Sequence, residues 1–131
     1  MARVKRKPYM MEVTDQITQL SKENWDGYVE YKRTLVNCTE ECMHKYATQM
    51  KWRINQNPRK RKYAVYYIGI NDNGTVYGLD KEEMNECIDM LMKIIDIINA
   101  TIKFLLIIPT ENNKFIIKAA IRGKSEPMFE F

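Results

Sequence analysis

Tyr63-Ala-Val-Tyr-Tyr-Ile-Gly-Ile70 runs into Asn71-Asp-Asn-Gly74, then Thr75-Val-Tyr-Gly-Leu79, then an unbroken amphipathic segment from Asp80 to Ala100. The first segment is rich in aromatic and branched residues, which suit a pleated surface. The second supplies small polar residues that tolerate left-handed backbone. Together with Thr75–Leu79 the pattern predicts a β-hairpin. Asp80, with Glu83 three positions later, is a helix-start signature: the two carboxylates can accept from backbone donors that the first turn leaves free. In the segment that follows, Met84, Cys87, Ile88, Leu91, Ile94, Ile95 and Ile98 recur every three or four positions and form one apolar stripe. Asp89, Lys93 and Asp96 fall on the other side.

Working outward, Tyr28 to Val36 alternates well enough to be a strand, and Thr39 followed by Glu40 and Glu41 starts a second helix reaching about Asn55. At roughly 100° per residue, Met43, Ala47, Met50 and Ile54 share a core face with Tyr46 at its edge. Thr101 to Ile108 reads as a buried strand, and Phe115 to Ile121 as its hairpin partner across a polar turn. The predicted order is β-α-β-β-α-β-β. This is an α+β class domain with a split β-α-β arrangement, ferredoxin-like or AlbA-like, two helices covering one face of a four- or five-stranded sheet. Residues 1–24 are expected to be a basic, partly flexible amino-terminal segment with a short helix over Met10 to Leu20. Residues 25–131 are expected to form the single domain.

A chain of 131 residues with 45% hydrophobic content can bury a core without metals or disulfides. It has no apolar run long enough to span a membrane and no apolar segment of secretory type behind the basic start. Three cysteines without framework spacing favour a reducing compartment, with the cytoplasm as the default. The net charge of +4 is unevenly spread. Residues 1–70 carry 14 Lys or Arg against 7 Asp or Glu, and the remainder 7 against 10. Such a basic first half fits either a nucleic-acid face or ordinary surface composition.

No residue pattern points to catalysis, a cofactor or a metal. Gly123-Lys124-Ser125 lacks the first glycine of a phosphate loop, because position 118 is Lys118, and Pro127 precludes the helix such a loop needs. Gly69 and Gly78 do not have dinucleotide spacing and read as sites of close backbone approach. Cys38, Cys42 and His44 offer three soft ligands but not the fourth of a tetrahedral site. Cys87 lies on the core stripe. His44 is the only histidine, with no paired nucleophile evident.

Binding is better represented. Pro58 ends the first helix, and Arg59, Lys60, Arg61 and Lys62 form the strongest charge run in the chain. Four cations on one loop either neutralise phosphates, giving salt-dependent and sequence-indifferent affinity, or simply solvate the loop. Lys51 and Arg53 join them as candidate nucleic-acid contacts, with the tail cations Arg3, Lys5, Arg6 and Lys7 assisting. Trp52 lies opposite the core face of its helix, beside Lys45. It is either covered by the amino-terminal segment or a loop, or is a partner-binding anchor of the Trp-with-cation kind found at contact hot spots.

Glu30-Tyr-Lys32, Thr48-Gln-Met-Lys-Trp-Arg53, Ile68-Gly-Ile-Asn-Asp-Asn-Gly74, Gly78-Leu79 and Glu82-Glu-Met84 together resemble the domain preceding the GTPase module in GTP-binding proteins one and two, elongation-factor-like translational GTPases. The resemblance covers roughly Gly27 to Ile102. It implies cytoplasmic translation work, with ribosome association or RNA binding. No nucleotide loop or guanine-specificity motif occurs, so GTP hydrolysis does not carry over. The turn at Gly69 to Gly74 followed by Val76 to Leu79 is also similar to AlbA-like domains of Schlafen proteins, implying nucleic-acid binding. The expected function is a non-catalytic accessory domain contacting RNA or ribosome. The alternative is a protein-interaction module docking on a GTPase or translation factor through Trp52 and Lys45. The oligomeric state stays open.

Overall fold

The computed structural model describes residues 10–12, 19–24 and 26–123. Its regular elements are β1 (Met10–Glu12), β2 (Val29–Lys32), α1 (Glu40–Asn55), β3 (Tyr63–Ile68), α2 (Lys81–Ile97), β4 (Thr101–Pro109) and β5 (Phe115–Arg122). They make an α+β domain around one five-stranded sheet ordered β1-β4-β5-β3-β2. β2 pairs in parallel with β3, and β1 with β4, while β5 runs antiparallel to both of its neighbours. The β2-α1-β3 unit joins adjacent strands. The β3-α2-β4 unit is split, with β5 inserted between its two strands. No helix among the described residues is long and apolar enough to cross a membrane.

Both helices start where local chemistry places them. The Thr39 hydroxyl accepts from the Cys42 N–H at 3.1 Å. At α2, Asp80 accepts from the Glu83 N–H while Glu83 accepts from the Asp80 N–H, completing a reciprocal capping box. The apolar faces meet one side of the sheet. Ala47, Met50 and Ile54 of α1 and Met84, Cys87, Ile88, Leu91, Ile94 and Ile95 of α2 are buried with Ala64, Tyr66, Ile68, Leu105, Ile107, Ile117, Ala119 and Ile121. Alternation does the rest, because successive strand residues point to opposite faces.

Two expectations are corrected. Thr75–Leu79 is not a strand: it pairs with its neighbours through isolated bridges, Gln19 to Thr75, Ile70 to Val76 and Leu79 to Phe115. The reason is topological. β3 already has β2 on one side and β5 on the other, leaving no edge for a returning strand. The N–H groups of Tyr77 and Gly78 instead both donate to the Gly69 carbonyl, turning the chain toward α2. The additional strand comes from the amino-terminal segment, where Met10–Glu12 extends the sheet beside β4 rather than starting a helix. Residues 13–18 of the expected helix lie outside the described residues.

Among the described residues, the far face of the sheet is only partly covered. Residues 19–24 form a strap whose Leu20 N–H donates to the Gly74 carbonyl and whose Glu23 N–H donates to that of Asp72. Beneath the strap and the 70–79 loop, Tyr31, Ile70, Ile108 and Ile116 make a second small core.

Candidate nucleic-acid interface

The basic loop is held at its base rather than left to wander. Asn57, 1% exposed, donates through Nδ2 to the Tyr63 carbonyl at 2.9 Å and accepts from the Arg59 N–H at 3.0 Å. This ties the end of α1 to the start of β3 across the turn at Pro58. Lys62 folds back so that its Nζ donates to the carbonyls of Asn55 and Asn57, at 3.2 and 3.3 Å. Asn55 is the last residue of α1, so its carbonyl is one that a helix end leaves free and where a cation is favoured by the backbone dipoles. Arg59, Lys60 and Arg61 are exposed and form no ion pair with a described residue. The run of four thus divides into one structural lysine and three cations held out to solvent.

Lys51 and Lys45 are exposed on α1, and Trp52 is 44% exposed, with Lys45 one stripe-length behind it on the same side of the helix. Arg53 is a correction. Expected among the surface cations, it is 3% exposed and committed to the interior. Its Nε donates to Glu30 Oε1 at 2.9 Å, and one terminal nitrogen donates to the carbonyls of Asn24 and Gly27 at 2.9 and 2.6 Å. The other terminal nitrogen lies 3.7 Å from Glu23, and the guanidinium stacks beneath the Trp52 ring at 5.2 Å. Arg53 therefore supports the indole from inside instead of meeting a ligand. The tail cations Arg3, Lys5, Arg6 and Lys7 lie outside the described residues.

The acidic side of this network is also unusual. Burial pushes the Glu23 carboxyl up to about 7 from an ordinary 4.5; neighbouring Glu30 adds to the shift, while the Tyr31 N–H and Arg53 oppose it. Lys32 stands 3.7 Å from Glu30 on the other side. A carboxyl whose folded pKa is raised binds its proton more tightly in the native state, so its stabilising contribution is full below pH 4.5 and lost as pH rises through 7. Thermal melts at stepped pH should show stability declining from about pH 5 to above pH 7. Glu23→Gln should flatten that decline, and an unchanged slope would contradict the assignment.

The cysteines sit apart from this chemistry. Burial, then its hydrogen bond with Cys42, pushes the Cys38 thiol up to about 12, which keeps it protonated. Cys87 accepts from the Leu35 N–H at 3.2 Å inside the core. Among the described residues no group of three or more His, Cys, Asp or Glu is arranged to hold a metal ion.

The side chains of the sheet's other face form no charge run or motif in the sequence, and among the described residues no helix lies over it. Tyr63, Val65 and Tyr67 alternate onto it, as do Lys118, Ala120 and Arg122 from β5, paired in register with Tyr67, Val65 and Tyr63. The signal in the sequence is the period of two within Tyr63–Tyr67, which places the rings of Tyr63 and Tyr67 on one face.

No family model matches the chain. It is 43% identical over 118 residues to an uncharacterized protein of Acanthamoeba polyphaga mimivirus, a match covering 90% of this chain and 62% of that protein. It is 40% identical over 86 residues to GTP-binding protein 2 of mouse and of human, covering 66% of this chain and 14% of theirs. The chain thus spans under two thirds of the viral relative and a small part of the GTP-binding proteins. It is similar to one segment of GTP-binding protein 2.

Proposed function

We propose that this chain is a non-catalytic accessory domain of a GTP-binding-protein system, working in the cytoplasm and contacting RNA or the ribosome through Arg59, Lys60 and Arg61, with Lys51 contributing from α1. The observation that carries the reading is the loop itself: three cations without carboxylate partners among the described residues, on a backbone pinned by Asn57. A backbone fixed in advance loses little order on meeting phosphates, and the cations release counterions when they bind. Partial similarity to GTP-binding protein 2 supplies the context.

Filter binding to an RNA probe across about 50 to 200 mM salt tests it. Replacing Arg59, Lys60 and Arg61 with Gln should make the slope of log affinity against log salt shallower by about two and weaken binding on the order of tenfold. Wild-type affinity and slope in that variant would remove the phosphate-contact mechanism. Exposure of Trp52 favours one second reading, docking of a GTPase or translation-factor partner on Trp52 and Lys45. In the same assay Trp52→Ala should leave RNA retention unchanged under that reading while partner capture is lost.

A further inference from the structure

We propose that the sheet face turned away from α1 and α2, around Tyr63, Phe104, Lys103 and Arg122, is a stacking platform for single-stranded nucleic acid, continuing the path that begins at the basic loop. The inference rests on the reading of that loop as a phosphate contact and adds where the bases go.

Three observations converge. The first is position. Lys62, the last cation of the loop, directly precedes Tyr63, and the Gly123 N–H donates to the Lys62 carbonyl at 3.1 Å. The loop and the Arg122 end of β5 therefore lie at the same end of the sheet. The second is composition. Tyr28 meets Tyr63 edge to face with centroids 5.5 Å apart, Lys103 Nζ lies 5.0 Å from the Tyr63 ring, and Lys118 Nζ lies 5.4 Å from the Tyr67 ring. Phe104 pairs across from Ala120, whose small side chain gives a low floor between Phe104 and Val65. The third is charge. The only acidic residue in β2 to β5 is Glu30, which is buried and bound to Arg53 beneath the other face. The positions of β2 to β5 on the face away from α1 and α2 thus carry Lys103, Lys118 and Arg122 without a carboxylate among them.

A shift in register helps to display Lys103, beside the half-buried Tyr63 and Phe104. Between Ile102 and Phe104 the β4–β5 ladder slips by one residue, so Lys103 is the extra residue of a bulge and is exposed. Bulges re-aim a side chain, here toward the Tyr63 ring. Aromatic rings interleaved with cations suit unpaired bases, which offer a π-face to stack and a phosphate on either side. A duplex hides its base faces and would use only the cations. A protein partner of acidic character would likewise use the cations and leave stacking without a role.

The test uses the full chain and a 4-thiouridine-containing oligouridylate, measured by fluorescence anisotropy and by photocrosslinking. The expected result is preference for the single strand over a duplex of the same length, and a crosslink on β3 or β4. Tyr63→Leu keeps an apolar residue of strand character but removes the ring. It should weaken single-strand binding roughly tenfold with the salt slope unchanged. Lys103→Gln, at an exposed site that cannot unfold the core, should weaken binding severalfold and make the slope shallower by about 0.7. An oligodeoxyuridylate arm distinguishes RNA from DNA as the source of the strand. Wild-type binding by both variants, or equal competition by duplex, overturns the platform even if loop neutralisation still abolishes retention. Conversely, loss in Tyr63→Leu with no effect of the loop substitutions would sustain the platform and remove the loop.

Discussion

Arg53→Met should destabilise the domain by about 3–5 kcal/mol, enough to lower the melting temperature by roughly 10–20 °C for a chain of this size. Methionine fills much of the arginine volume, so the loss would report charge and hydrogen bonding more than a cavity. Four partners depend on that one guanidinium: the Glu30 carboxylate in β2, the carbonyls of Asn24 and Gly27, and Glu23 in the strap. Removing it takes from Glu30, 3% exposed, its one direct hydrogen-bonded cation and leaves only the longer Lys32 pair at 3.7 Å. Lysine should not rescue, because a single ammonium cannot reach the carboxylate and two carbonyls with the planar fork that arginine offers. Adding Glu30→Gln to Arg53→Met should recover part of the loss. A double variant no more stable than the single one would mean that the ion pair is not what holds this corner. Folding must be checked before any binding defect at Arg53 is read as a lost contact.

The second large effect is expected at Gly74. Its φ is +90°, and a Cβ built there would lie 2.0 Å from the Leu20 carbonyl oxygen and 2.7 Å from that of Ser21. Both obstacles are backbone, which cannot rotate away like a side-chain tip. Gly74→Ala combines left-handed strain with a clash that must lift the strap, and about 2–4 kcal/mol is the expected cost. Lifting the strap would expose Tyr31, whose hydroxyl donates to the Ser21 carbonyl, and the small core around Ile70 and Ile116. Hydrogen exchange should therefore quicken at Leu20, Glu23 and Tyr31 while α2 keeps its relative protection. Unchanged exchange at Leu20 would mean that the strap does not cross here.

These two positions also mark the limits of the sequence. Both helices were readable because their information is local: the Asp80–Glu83 reciprocal cap and the stripe from Met84 to Ile95 need nothing beyond neighbouring residues. Gly74 was readable as a turn glycine, but the strap crossing it comes from some fifty residues upstream and left no mark in Asn71–Gly74. The expected strand at Thr75–Leu79 had suitable residues and no free edge to join, a fact settled by β5 far downstream. Arg53 looked like one more cation in a basic neighbourhood. Its helical position about 60° from Met50 was a usable sign that it borders the core face, but the burial of its Glu30 partner required the parallel pairing of β2 with β3. At the candidate interface, Arg59, Lys60 and Arg61 were legible as a charge run. The division of labour that turns Lys62 back onto the helix end was not.

The central position of β5 has a consequence for how the molecule is made. During synthesis β2, α1, β3, α2 and β4 all emerge before the segment that joins their two halves, so β3 and β4 each wait with an unmatched hydrogen-bonding edge. Such edges invite pairing with other chains, and contacts closed late across long sequence separations slow folding. Nascent chains interrupted before Phe115 would therefore expose two sticky borders at once, making this small domain more dependent on timely completion than its size suggests.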